Sequence, residues 1–424
     1  MTTTTEPSAA GDNSLSGAVQ SSATDEETDV QSDASRYVGG IVLVGLLLLL
    51  GFFSKGALIT VLVIAFAITM HEAGHFLTAR WTGMQATEFF LGFGPRISSF
   101  RRGETEFGVK PVLLGAYVKI TGMSSIEEVP PEDEARTYRQ QSYPRRLLVA
   151  SAGSLMHFAM AIIALIAVFA FIGAPDESGA WEASLVSPDS AAASIGLETG
   201  DEILSIDGVS TSDFGELQQV VQGLPGEAVE IVYLRDSIET TTEAVLGSRV
   251  VEGETQGLLG ITPRSILVTE SLVGSVAQGF IEFPSLAWQS LEGIVTIFSN
   301  IPEMVDRVIS PPGDPTANEN LETRPLSLVG VVQIGADTES AFEALMMFAL
   351  FNVFIGVFNL LPLLPLDGGH IAIATYERIR EGRSGRRHMI DITRLLPMTY
   401  AVVMFLLLFG VGSLYLDIAN PIRF

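Results

Sequence analysis

Cysteine is absent from this 424-residue chain. That excludes disulfides and thiolate metal sites, so any bound metal must rely on histidine and carboxylate. Histidine is scarce as well, five in all, and basic residues are few: 24 Lys and Arg stand against 49 Asp and Glu, for a net charge of −25. The balance excludes the basic footprint of a nucleic-acid binder, and no nucleic-acid partner is expected. Apolar residues are what the chain has in excess. They make up 47% of it, give a mean hydropathy of +0.38, and come in blocks, which points to the lipid bilayer as surroundings.

Residues 1–35 are rich in Thr, Ser, Asp and Glu and read as a disordered acidic tail. The tail makes a poor signal peptide, because only Arg36 is basic ahead of the first apolar run and no small-residue cleavage site follows it. Apolar runs cover Tyr37–Phe53, at the short limit for a span, then Gly56–Ala79, Leu147–Ile172 and Met398–Leu414. A further run, Phe342–Leu366, is interrupted by Pro362 and Pro365. Ser54 and Lys55 either turn the first two runs into a helical hairpin or interrupt one long bent segment. Basic residues set the orientation. Arg80–Arg146 holds ten of them and Arg378–Arg394 six, whereas the longer Pro175–Ala341 holds five. Residues 80–146 and 376–395 are therefore expected in the cytoplasm and 174–341 outside, in a multi-pass cell-membrane protein. If the first run is a separate span, the tail is cytoplasmic.

Inside the second run stands His71-Glu72-Ala73-Gly74-His75. Two histidines four apart share one helix face and can reach one ion, with the glutamate placed to take a proton from water at that ion. Ionisable groups at membrane depth are costly and point to function. A catalytic zinc site needs a third protein ligand. Asp367 is the best candidate, after a stretch whose two prolines, Pro362 and Pro365, cannot sit in a regular helix. Irregular backbone is tolerated in a membrane where it is buried in protein or lines a wet cavity. The alternative is a plain helix end with Asp367-Gly368-Gly369 as a turn.

His71-Glu72-x-x-His75 together with Asn359-x-x-Pro362-x-x-x-x-Asp367-Gly368 resembles the site-2 protease family of intramembrane zinc metalloproteases. Gly92-Phe93-Gly94-Pro95 resembles the family's G-x-G-P turn, and Gly115-Ala116-Tyr117-Val118 its glycine-aromatic-valine stretch. The resemblance runs from about residue 56 to 415, with an inserted PDZ-like domain as in bacterial members that cleave anti-sigma factors. It implies one Zn2+ on His71, His75 and Asp367, Glu72 as catalytic base, and Asn359 holding the substrate backbone. One departure stands out. The family pattern Gly-Pro-x-x-Asn is here Gly153-Ser154-Leu155-Met156-His157, so His157 either takes over hydrogen bonding near the metal or simply packs. His370 is expected to cap or pack, and His388 to be solvated in the basic loop.

Residues 84–120 read as short extended pieces. Arg96–Phe100 and Thr105–Lys110 flank a hairpin connection, and Gly115–Thr121 forms a third piece. By the resemblance, this segment re-enters the membrane as a β-hairpin, whose edge could hold an unwound substrate through its backbone, with Gly115 and Tyr117 as contacts. Gly196-Leu197-x-x-Gly200-Asp201-x-Ile203-x-x-Ile206-Asp207-Gly208 resembles the PDZ signature. Val229–Arg235 and Ala244–Val251 supply further strands, and Gly196 and Leu197 are candidate peptide contacts. Leu272–Ile301 has helical spacing, and Pro311–Pro325 reads as a polar loop.

The expected fold is a polytopic α-helical membrane protein with a re-entrant β-hairpin segment and one PDZ-like α+β domain. Its parts are the tail 1–35, a membrane part 36–173, the PDZ-like domain 174–266, a surface connector 267–341 and a second membrane part 342–424. The expected activity is zinc endopeptidase action on a single-pass transmembrane substrate already cut by an upstream site-1-type protease. A catalytically silent membrane PDZ adaptor is the alternative.

Overall fold

The structure, a computed structural model, describes residues 37–123, 127–175, 181–211, 214–251, 254–310, 324–338, 340–386 and 388–419. The acidic tail and most of the polar loop 311–325 lie outside the described residues. Contacts divide the chain into two compact units: Met1–Ile162 with Phe283–Phe424, and Ile163–Glu282. Among the described residues, four helices are long and apolar enough to cross a membrane: Lys55–Trp81, Tyr143–Ile172, Ala341–Asn359 and Thr393–Ala419.

In the first unit, α1 (Tyr37–Phe53) is a separate, shorter helix. It ends at Ser54, whose backbone is extended (φ −151°, ψ 113°). The Ser54 hydroxyl accepts from the Ala57 N–H at 3.1 Å and so caps α2 (Lys55–Trp81). Of the two readings of the first runs, the break at Ser54 selects two helices. The start of α1 comes back to the sheet that follows α2, since a Cβ on Gly39 would lie 3.5 Å from Ile97 and 3.6 Å from Pro111.

That sheet has β1 (Ala86–Phe93), β2 (Ser98–Arg102), β3 (Thr105–Val109) and β4 (Val112–Ile120), in the order β2-β3-β1-β4. β2 and β3 form the expected hairpin, closing at Arg102 opposite Thr105. The sequence reading named three extended pieces and overlooked β1, which is parallel to β3 and antiparallel to β4. Flanked on both sides, β1 carries Phe89-Phe90-Leu91 as a continuous apolar run rather than a clean alternation, which hides it from a period-two test. α3 (Tyr143–Ala167) follows and finishes in a π-helical turn, Val168–Ile172.

The second unit contains β5 (Ala174–Pro175), β6 (Trp181–Val186), α4 (Ala191–Ser194), β7 (Glu202–Ile206), β8 (Val209–Ser210), α5 (Phe214–Gln222), β9 (Ala228–Arg235), β10 (Ile238–Val245), β11 (Gly247–Val251), β12 (Glu254–Leu258), β13 (Ile261–Ser265) and β14 (Leu267–Val268). Its main sheet is β10-β9-β7-β8, and its core includes Trp181, Leu197, Ile203, Ile206, Leu217, Ile231 and Leu259. Alternate residues of β9, Val229, Ile231 and Tyr233, face that core, as a half-buried strand requires. The expected single strand Ala244–Val251 is two strands, because Leu246 turns inward between β10 and β11 and pairs its N–H with the Glu227 carbonyl. Asp201 is buried beneath Arg235, which donates to it through Nε at 2.7 Å and Nη2 at 2.6 Å, while the Glu198 N–H donates at 2.8 Å.

α6 (Leu272–Ser299) and α7 (Ile301–Ile309) follow the expected helical spacing, and α8 (Leu328–Asp337) packs on α2. α9 (Ala341–Asn359) opens with a Ser340 cap on the Glu343 N–H and closes before Pro362. After the turn 360–366 come α10 (Asp367–Ser384) and α11 (Leu396–Ala419).

Candidate active site

α2 places His71 and His75 one turn apart, both buried, with ring centroids 4.9 Å apart. The turn 360–366 is tied by bonds from the Leu363 N–H to the Leu361 carbonyl and from the Leu366 N–H to the Leu363 carbonyl. It delivers Asp367 in the first turn of α10. Three donor atoms converge there. His71 Nε2 and His75 Nε2 lie 3.2 Å apart, and Asp367 Oδ2 is 3.4 Å from the first and 3.2 Å from the second. Tetrahedral zinc with bonds of about 2.0–2.1 Å sets its donor atoms about 3.3–3.4 Å apart. The triangle matches that size, and the buried Asp367 Oδ2 has no hydrogen-bond partner among the described residues. These residues fit a divalent ion, and of the described His, Asp and Glu they form the one such group.

α3 shapes the site from the other side. The Val149 carbonyl lies 2.7 Å from His75 Nδ1; a donated Nδ1–H leaves the Nε2 lone pair for a metal. At Gly74 a Cβ would sit 2.6 Å from both the Ala152 carbonyl oxygen and Met156 Cγ, so glycine lets α2 and α3 meet. At Gly153 a Cβ would sit 2.5 Å from the Nε2 atoms of both histidines. The missing side chain is therefore part of the space around the ligand atoms.

Glu72 is half-buried, and its Oε2 accepts from the Val118 N–H of β4 at 2.9 Å. A backbone donor so used points away from β1, so β4 turns its unpaired edge toward this carboxylate. Gly115 lies beneath the Phe93 ring. Tyr117 stacks on Phe90 and Phe93 and donates its hydroxyl to Glu88 at 2.7 Å, so its ring belongs to the sheet's aromatic face. Asn359 ends α9, half-buried, just before the turn.

His157 is buried, with its ring centroid 5.1 Å from that of His71. Its Nδ1 meets Asn352 Oδ1 at 2.7 Å. Asn352 Nδ2 donates to the Phe348 carbonyl, so Oδ1 is the acceptor and His157 the donor. Sequence reasoning missed Asn352, although an amide inside a membrane-length helix was a readable signal. Gly196 and Leu197 lie in the second unit, Gly196 with φ +73° and Leu197 in the core. His370 packs edge-on against Tyr138 at 6.4 Å, as expected. His388 corrects the sequence reading: it is half-buried, 6.1 Å from the Tyr376 ring, because the basic loop folds back over α10.

A profile of peptidase family M50 matches residues 59–408. The zinc metalloprotease Rip1 of Mycobacterium tuberculosis H37Rv is 32% identical over 406 residues, covering 88% of this chain and 99% of the relative. A putative zinc metalloprotease of Clostridium perfringens is 31% identical over 320 residues, 74% of this chain and 85% of the relative. Among solved structures, the PDZ domain of an SdrC-like protein from Listeria monocytogenes matches 21% of this chain and 90% of that one, at 25% identity and a TM-score of 0.18.

Proposed function

The chain belongs to peptidase family M50, and from that membership we propose that it hydrolyses peptide bonds of single-pass membrane proteins at the depth of its own spans, with one zinc ion held by His71, His75 and Asp367. The observation that carries this reading is the triangle of His71 Nε2, His75 Nε2 and Asp367 Oδ2, with Glu72 next to His71 on the same helix. Bound zinc supplies Lewis acidity toward the scissile carbonyl and makes water acidic enough to lose a proton near neutral pH.

The chain's own groups do the rest. Glu72 is anchored through Oε2 by Val118, which leaves Oε1 to accept a proton from the attacking water. As the carbon–nitrogen bond breaks, Glu72 returns that proton to the departing amine, giving a carboxylate and an amine end. The Asn359 amide donates to the substrate carbonyl as charge builds on its oxygen, a role supported by its place beside the turn that carries Asp367. His157, held by Asn352, supplies the hydrogen bonding that an asparagine gives at this position of the family pattern.

An unwound substrate segment adds as a strand to the free edge of β4 near Gly115 and Tyr117, which would carry its backbone past Glu72. The β1–β4 segment dips into the bilayer to meet it. The count of basic residues supports a cytoplasmic side for residues 80–146, and the return of α1 to the sheet supports the same side for the start of α1. The PDZ-like domain, 174–266, then lies outside and admits substrates, such as anti-sigma factors, that a site-1-type protease has shortened.

The test is co-expression of a tagged, truncated single-pass substrate with the wild type and with Glu72→Gln. Cleavage by the wild type alone, stopped by a zinc chelator, is the expected result. Equal cleavage by both removes Glu72 from its role. A zinc-free purified protein that cleaves nothing would turn the reading toward an adaptor.

A further inference from the structure

We infer that Arg146 and Glu377 are positioning residues for the zinc ligands, a buried clamp that fixes α10, and with it Asp367, against α3. This rests on the zinc-peptidase reading above. α3 already locates His75 through the Val149 carbonyl and leaves room for both Nε2 atoms at Gly153. Asp367, in contrast, follows an irregular turn and is placed by whatever holds α10.

The hold is at Glu377, which is 4% exposed. Its Oε2 accepts from Arg146 Nη1 at 2.6 Å and its Oε1 from the Ile390 N–H at 2.7 Å. Both carboxylate oxygens are engaged, one by α3 and one by the chain beyond α10. The Arg146 guanidinium lies over the Tyr138 ring at 5.0 Å, and that ring meets His370, one turn after Asp367. Tyr143 and Thr375 add a hydroxyl pair at 3.3 Å between the same two helices. At 1.5 Å per residue, about 10 Å of α3 separates Arg146 from Gly153, and about 15 Å of α10 separates Glu377 from Asp367. Neither side chain touches the ligand atoms, so the pair acts through two stiff helices.

A pair serving only as glue could be exchanged for apolar residues without loss, since buried ion pairs are weak sources of stability. A clamp with a set direction could not. The full-length protein, purified with and without metal, gives three readouts: zinc affinity by chelator competition, the visible spectrum of the cobalt-substituted site, and melting of the metal-free form. Glu377→Gln and the double variant Arg146→Met with Glu377→Met should weaken zinc binding about 10–100-fold, the range for groups that orient ligands, and shift the cobalt bands. Metal-free melting of the double variant should stay near the wild type, and Arg146→Lys should keep most of the affinity.

The inference is overturned if the double variant binds zinc as tightly as the wild type with an unchanged cobalt spectrum. It is also overturned if its metal-free form melts early in step with the loss of zinc, which would make the pair a general brace. A wild type that binds no zinc would instead sink the peptidase reading, and this clamp with it.

Discussion

Both units of the molecule bury an acid, and they treat it in opposite ways. In the second unit Asp201 is 1% exposed, and each carboxylate oxygen has a donor. In the first unit Asp367 Oδ2 is buried with no hydrogen bond, pointed at two imidazole nitrogens. Leaving a buried polar atom unsatisfied costs about 1–3 kcal/mol, more when it is charged. An atom so placed, within 3.4 Å of two imidazole nitrogens, is one that a bound ion would complete. The first unit also shows what it does with an acid that is only structural: Asp417 receives Arg324 at 3.0 Å and the Ser327 N–H at 2.7 Å. Among these three carboxylates, the full set of donors on Asp201 and Asp417, and not burial, separates them from Asp367.

The sharpest way to break the contrast is to remove each acid. Asp367→Ala should lower zinc affinity by more than about 10–100-fold, the range typical of groups that only support a ligand, while the fold persists; zinc content after dialysis reads it, and retained zinc would end the assignment. Asp201→Ala should leave zinc untouched and destabilise the second unit, since it removes the acceptor of two Arg235 bonds and of the Glu198 N–H, although Arg235 keeps the Gly196 carbonyl and Glu198. Hydrogen exchange along β9 measures that loss. Burial alone would raise the Asp201 carboxyl, yet the Arg235 bond, the Glu198 N–H and the Arg235 charge together hold it below its ordinary value. A folded value below the unfolded one means full stabilisation above about pH 4. The contribution then drains away as pH falls through the depressed folded value. Asp201→Asn should flatten that acid limb of the stability profile.

Val118→Pro is a finer probe. Its N–H faces Glu72 and not β1, so proline removes that donor and leaves the ladder intact. Loss of a hydrogen bond to a charge, about 1.5–3 kcal/mol, predicts cleavage roughly 10–100-fold slower with zinc content unchanged. The smallest effect is expected at His157: alanine should slow cleavage about tenfold, as loss of a ligand-supporting group does, and asparagine should restore most of the rate. If neither substitution changes turnover, His157 only packs.

Much of this was legible from local spacing. Two histidines four apart on a helix need no tertiary information to share a face, and Pro362 and Pro365 announced the break that brings Asp367 in. Ser54 was ambiguous because a cap and a kink look alike until the backbone is seen. The groups that aim the site were hidden for a common reason. Val118 reaches Glu72 across 46 positions, His157 reaches Asn352 across 195, and Arg146 reaches Glu377 across 231. No periodicity test sees such pairs, since packing alone brings them together. β1 escaped because its Phe89-Phe90-Leu91 run masks the alternation and its partners β3 and β4 lie further along the chain.

Gly153 shows how little separates a working member of this family from a silent one. His71, Glu72, His75 and Asp367 could all survive in a descendant whose only change is one methyl group at this position, because that methyl would occupy space next to both histidine nitrogens. A census of ligands would pass such a sequence as active. Deciding which relatives still work therefore means reading α3, a helix that contributes no ligand, for the hydrogen atom it keeps there.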